Sequence, residues 1–147
     1  MEIAILGLGC FWGPEIKFSK LDGVIKTEVG YCGGNSAVTN YKEVCTGTTN
    51  HAEVVKLDFD PKIISYEKII EYFFEIHDPT TLNSQGPDFG TQYRSEIFYL
   101  NDQQKSIAEK IVEKVNERLS GNVVTKISLV KNYCAAEEYH QRYLEKR

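Results

Sequence analysis

No apolar stretch at the start of this sequence can cross a bilayer. The run Ile3-Ala4-Ile5-Leu6-Gly7-Leu8-Gly9 is far shorter than the roughly 20 residues a spanning helix needs, and no basic leader precedes it. The expectation is therefore a cytoplasmic protein with no membrane contact, whose first apolar run is a buried strand. Positive charge is not in excess: 17 Lys and Arg stand against 21 Asp and Glu, a net charge of −4. The electrostatic footprint of a nucleic-acid binder is missing, and mild acidity serves solubility. The cysteines at 10, 32, 45 and 134 include no Cys-x-x-Cys pair, so neither a thioredoxin-type motif nor a zinc knuckle is present. His51, His77 and His140 are dispersed, which argues against a metal site. Internal repeats, low-complexity tracts and linkers are absent, and tryptophan occurs once, at Trp12.

What remains is an ordinary globular mixture. A chain of 147 residues, 41% hydrophobic and 26% charged, fits one domain around one core. Patterning predicts strands over 3–8, 24–31, 53–59, 96–100 and 123–130. Helices are predicted over about 14–21, 65–76, 102–119 and 135–144, with Pro14 in the first turn of the first and Ser65 capping the second. Residues 77–94 are nearly all turn chemistry, and a loop that long is usually functional. This order suggests an α+β domain with a mixed or antiparallel sheet covered by helices.

Cys10 lies where the first strand gives way to a helix. The positive end of a helix dipole and its free N–H groups favour thiolate, so a lowered pKa and a nucleophilic role are expected. A buried, inert thiol is the plain alternative. Phe11 and Trp12 can be core residues or walls of an apolar pocket. Tyr41 and Glu53 flank the third strand; Asp88 and Tyr93 lie in the long loop. A carboxyl group walled by aromatics would have a raised pKa and suit a general acid, while tyrosine hydroxyls can bind a developing oxyanion. Other classes stay open here: a cysteine hydrolase with His51 as base, a thiol peroxidase, or a non-catalytic binding module.

The motifs then point further. Gly9-Cys10-Phe11-Trp12-Gly13-Pro14-Glu15 resembles the signature of the peptide methionine sulfoxide reductase A family. Gly30-Tyr31-Cys32-Gly33-Gly34, Tyr41-Lys42-Glu43-Val44-Cys45-Thr46-Gly47 and His51-Ala52-Glu53-Val54-Val55 follow in the family's order. So do His77-Asp78-Pro79-Thr80, the run from Gln85 to Ser95, and Glu137-Glu138-Tyr139-His140-Gln141. The resemblance implies a ferredoxin-like core and a single catalytic domain over 1–147. It implies reduction of methionine S-sulfoxide, free or in oxidised proteins, by a monomer that needs no metal, flavin or nicotinamide. Cys10 would attack sulfur, and Glu53 would protonate the sulfoxide oxygen. Tyr41 and Tyr93 would hold that oxygen, and Asp88 would order the site. Phe11, Trp12 and Tyr143 would take the substrate's methyl group. Thioredoxin or another thiol reductant would close the cycle. Many family members carry a resolving cysteine in a glycine-rich tail, and this sequence runs only to Arg147. Recycling is therefore expected at Cys134 or Cys32, with direct reduction of Cys10 by an external thiol as the further option; Cys45 sits in a motif where cysteine is usual without resolving.

Overall fold

The computed structural model describes residues 1–146. Strand β1 (Glu2–Leu8) leads into α1 (Trp12–Ser19) and β2 (Val24–Cys32). A short helix α2 (Tyr41–Cys45) precedes β3 (Ala52–Phe59) and α3 (Tyr66–Glu75). A small hairpin, β4 (Ser84–Gln85) and β5 (Asp88–Phe89), and a 3-10 turn at Thr91–Tyr93 come before β6 (Ser95–Tyr99). Helix α4 (Asp102–Arg118), β7 (Lys126–Leu129), β8 (Cys134–Ala135) and a 3-10 turn at Glu138–His140 complete the order.

The large sheet runs β7-β6-β1-β3-β2-β8, with every neighbouring pair antiparallel except β6 and β7. Within it, β1-α1-β2-β3-α3-β6 paired as β6-β1-β3-β2 is the ferredoxin-like α+β arrangement. Helix α4 adds a parallel crossover to β7. The core explains the pattern of the central strands. Ala4, Leu6 and Leu8 of β1 and Val55, Leu57 and Phe59 of β3 face the helices. They meet Phe18 of α1, Ile69, Ile70 and Phe73 of α3, and Ala108, Ile111 and Val115 of α4. The alternate residues, Ile5, Cys32, Ala52, Val54 and Phe98, pack on the other face beneath Val130 and Tyr133. Burial on both faces is why β1 reads as a continuous apolar run rather than an alternation.

Helix starts follow their caps. Ser65 Oγ accepts the Lys68 N–H at 3.1 Å, and Asn101 Oδ1 accepts that of Gln104 at 2.9 Å. Asn40 does the same for α2, accepting from Glu43 at 2.9 Å in a segment whose polarity reads as loop. The helix expected over 135–144 does not form. Gly30 and Tyr31 of β2 pair instead with Ala135 and Cys134, and a Cβ on Gly30 would lie 2.6 Å from the Cys134 carbonyl oxygen. Side chains then bind the following segment to the sheet edge. The Gln141 amide accepts the Val29 N–H at 2.9 Å and donates to the Val29 carbonyl at 2.9 Å. Those cross-chain bonds replace the i to i−4 ladder a helix would need. The last long strand is also shorter than expected, Lys126–Leu129 instead of 123–130.

Candidate active site

Cys10 stands just beyond β1, in the turn that opens α1. Gly9 has φ +99°, and a Cβ there would lie 2.8 Å from the Gln85 side chain, so glycine admits both the turn and the β4–β5 hairpin above it. The backbone N–H of Trp12 bonds the Cys10 sulfur and lowers its pKa, as the helix N-terminus leads one to expect. Burial outweighs that effect, and the nearby Glu53, Asp88 and Cys45 add to it. The thiol is pushed up to about 11, not down, so the resting group is a protonated thiol.

Glu53 is the second residue of β3. Strand alternation turns it toward the helix face, where it is 1% exposed. Its Oε1 accepts the Phe11 N–H at 3.3 Å, which ties the carboxyl to the residue next to Cys10. Its Oε2 is buried without a hydrogen-bond partner. Desolvation, helped by Asp88 and opposed by the Phe11 N–H, raises its pKa to about 8, so the carboxyl is mostly protonated at neutral pH. Tyr41 opens α2, and its hydroxyl bonds the Cys45 sulfur one turn on. Tyr93 closes the 3-10 turn before β6; burial pushes its hydroxyl up to about 12, with smaller contributions from Glu53, Cys45, Asp88 and Cys10. Asp88 lies on β5, paired with Gln85. These groups, far apart in sequence, thus act on one another across one end of the sheet.

The aromatic residues form a wall. Phe11 is 1% exposed and its ring centroid lies 5.8 Å from that of Tyr31. Trp12 stacks on Tyr143 at 3.9 Å and 14°, and its indole N–H donates to His140 Nδ1 at 3.1 Å.

The other cysteines separate by face. Tyr31 is the cross-strand partner of both Glu53 and Cys134, so these three side chains share the Cys10 face. Cys32 pairs with Ala52 on the opposite face, is fully buried and donates to the Lys131 carbonyl at 3.3 Å. The sheet thus separates Cys32, one of the two expected resolving thiols, from Glu53 and from Cys134, the other. Cys134 points its sulfur at the Thr39 carbonyl, 3.7 Å away. Cys45 is exposed and close enough to raise the Cys10 pKa.

Three supporting residues escaped the sequence reading. Glu137 accepts the Tyr31 hydroxyl at 2.8 Å and the Tyr41 N–H at 2.9 Å, joining β2 to the start of α2. Arg94 pairs with Glu96 at 2.6 Å and donates to the Thr91 and Asn50 carbonyls, which holds the Tyr93 turn against the approach to β3. His140 caps Trp12. Glu137 and His140 both lie in the motif 137–141, but a helix there would have pointed them differently. His51, the base that a hydrolase would need, spends Nε2 on the Ser36 carbonyl at 2.9 Å and packs under Gly34. Among the described residues no three His, Cys, Asp or Glu side chains converge as metal ligands. A surface hollow of about 600 Å³ between Leu21, Ile63, Lys68 and Tyr72 contains none of the groups at Cys10. No helix among the described residues is long and apolar enough to cross a membrane.

The family model for peptide methionine sulfoxide reductase matches residues 2–147. This chain belongs to that family. A peptide methionine sulfoxide reductase of Pelagibacter ubique is 84% identical over 147 residues, covering 100% of both chains. The crystal structure of Saccharomyces cerevisiae Mxr1 in reduced form superposes with a TM-score of 0.96 at 41% identity, covering 99% of this chain and 85% of that one. Mxr1 in complex with Trx2 matches at 0.69 and 27% identity, over 97% of this chain and 84% of that one. The reductase is accordingly an oxidoreductase that returns methionine sulfoxide to methionine.

Proposed function

We propose that residues 1–147 form one catalytic domain that reduces the S epimer of methionine sulfoxide, in peptides or free, through Cys10 and Glu53. The unpartnered Oε2 of a neutral, buried Glu53 beside the Cys10 turn carries this reading. A sulfoxide oxygen is a poor leaving group until it is protonated, and a carboxyl kept neutral at pH 7 can supply that proton. The Glu53 proton moves to the sulfoxide oxygen, and the Cys10 sulfur attacks the substrate sulfur. In the resulting adduct the S–O bond breaks and the hydroxyl passes to the Cys10 sulfur as the new sulfur–sulfur bond breaks, so methionine leaves reduced by two electrons and Cys10 is left as a sulfenic acid. The thiol proton of Cys10 returns to Glu53, so the site ends neutral as it began. Tyr41 and Tyr93 donate to the oxygen as charge builds there. Asp88 favours the protonated state of both Cys10 and Glu53. Phe11, Trp12 and Tyr143 enclose the methyl group.

An external thiol then attacks the sulfenic acid, water leaves, and a second thiol resolves the mixed disulfide. A thioredoxin-type dithiol is the partner that the Mxr1–Trx2 complex supports. Within the chain, Cys134 and Cys45 remain as relays, Cys45 being the one that contributes to the Cys10 shift. Recycling by a dithiol suits a reducing compartment, and the cytoplasm is the one proposed. The working unit in this reading is the monomer.

The test is a single turnover without reductant, assayed on the S and R sulfoxides and on peroxide and ester substrates. Cys10→Ser abolishes methionine release from the S epimer; activity that survives this change refutes the reading. Peptide mapping of the product shows a Cys10 disulfide with Cys45 or Cys134 where one of them relays, and a persistent sulfenic acid where reduction is direct.

A further inference from the structure

His140 takes no part in the proton transfers above, yet it is 1% exposed at the wall of the pocket. Its ring centroid lies 4.2 Å from Tyr139, 4.5 Å from Tyr41, 5.3 Å from Phe11 and 5.7 Å from Trp12. An indole N–H can only donate. The Nδ1 that receives Trp12 at 3.1 Å therefore bears no proton, and the neutral ring carries its proton on Nε2. That Nε2 is buried with no polar partner. A buried, unsatisfied polar group costs free energy that a phenyl ring of similar size would avoid. What phenyl cannot supply is the acceptor at Nδ1. Trp12 is gripped on two sides, by this bond at its edge and by the Tyr143 ring 3.9 Å from its face.

We propose that His140 is a positioning residue for substrate selection: by accepting the Trp12 indole N–H it locks the indole against Tyr143 and fixes the width of the pocket for the sulfoxide methyl. The inference rests on the reading of Trp12 as a wall of that pocket. Proton transfer and attack run through Glu53 and Cys10, so loosening the indole weakens substrate binding and relaxes discrimination by size while leaving the rate at saturation nearly intact. A pocket of fixed width penalises one extra methylene about tenfold or more.

Two substitutions separate the acceptor from the ring. His140→Phe keeps an aromatic ring and removes the acceptor. His140→Asn removes the ring and places an amide oxygen near the Nδ1 position. Trp12 is the sole tryptophan, so the protein has one indole N–H resonance to report on the bond directly. In His140→Phe that resonance moves to the position of an unbonded indole and exchanges faster with solvent. Half-saturation for methionine sulfoxide rises about three- to tenfold, the range one hydrogen bond is worth. The preference for the methyl over the ethyl sulfoxide falls by a comparable factor, with single-turnover rate at saturation little changed. His140→Asn recovers the resonance and the preference. In the unsubstituted protein, protonating His140 removes the acceptor, so the indole resonance titrates together with the His140 ring protons. Its midpoint lies below 6.5, because burial among Phe11, Trp12, Tyr41 and Tyr139 outweighs the attraction of Glu137. This measurement needs no variant to fold.

An indole resonance that does not respond to His140→Phe or to His140 protonation overturns the inference. So does a His140→Asn variant as impaired as His140→Phe, since ring packing would then be the cause. Trp12→Phe distinguishes the underlying reading. If it leaves the methyl preference intact while the resonance in His140→Phe still moves, the pocket assignment of Trp12 has failed and not the anchoring.

Discussion

At the scale of single residues, the site is built on suppressing ionisation. Cys10 and Glu53 both sit where charge is costly, with pKa values pushed up to about 11 and about 8. A low-pKa thiolate, which the helix N-terminus suggests, is not what this pocket stabilises. The consequence is that the acid limits the pH range. The first turnover falls as pH rises through about 8, as Glu53 loses its proton while Cys10 is still a thiol. A rapid-quench pH profile with one alkaline limb, absent in Glu53→Gln, is the expected result. Glu53→Gln keeps the acceptor for the Phe11 N–H and removes the acid, slowing the step about 10²-fold or more. Saturation by substrate changes much less, which separates the acid role from a binding role.

Elements carry the geometry. The β4–β5 hairpin bears Asp88 and rests on Gly9, where φ is +99° and a Cβ would meet Gln85 at 2.8 Å. Gly9→Ala therefore strains the backbone and lifts the hairpin together. A stability loss of roughly 1–3 kcal/mol is expected by denaturant titration. The Glu53 pKa should fall as the lifted hairpin lets water reach the carboxyl and withdraws Asp88. The hairpin was hidden within the turn residues of 77–94, because two-residue strands have no period to detect. The short helix α2 was hidden for a similar reason: five residues give one turn, and Asn40 is its only local signal. By contrast α4 was legible from its apolar stripe, and Asn101 caps it in the structure. Asn101→Ala should cost that helix about 1 kcal/mol without touching turnover, measurable as a shift in thermal midpoint.

For the whole molecule, two buried groups shape stability against pH. Glu53 holds a proton in the folded state that the unfolded chain releases above about 4.5, so stability falls as pH rises from there through about 8. His77 Nδ1 donates to the Phe73 carbonyl at 2.5 Å and its Nε2 accepts from the Ser95 hydroxyl at 2.8 Å, and burial lowers its pKa from 6.5 to about 4. The unfolded chain therefore gains the proton first, and stability falls as pH drops from 6.5 through about 4. Thermal midpoints should be highest at about pH 4.5–6.5, where the two slopes oppose each other, and Glu53→Gln should remove the fall on the alkaline side. The sheet also partitions the thiols. Native labelling should modify exposed Cys45 readily and leave Cys32 unmodified until global unfolding, read by mass spectrometry.

Local pattern was enough for the strands β1, β2, β3 and β6, the helices α1, α3 and α4, the α+β class, and the chain of motifs around Cys10. Each depends on neighbours in sequence, through periodicity, capping and turn chemistry. The ionisation states were beyond such a reading, since desolvation depends on what folds over a group and not on what flanks it. The sheet faces that separate Cys32 from Cys134 follow from strand pairing. The extended path at 134–141 follows from Gln141 and Glu137 bonding to β2 and α2 across about 100 residues. Local propensity favoured a helix there, and cross-chain hydrogen bonds outweighed it.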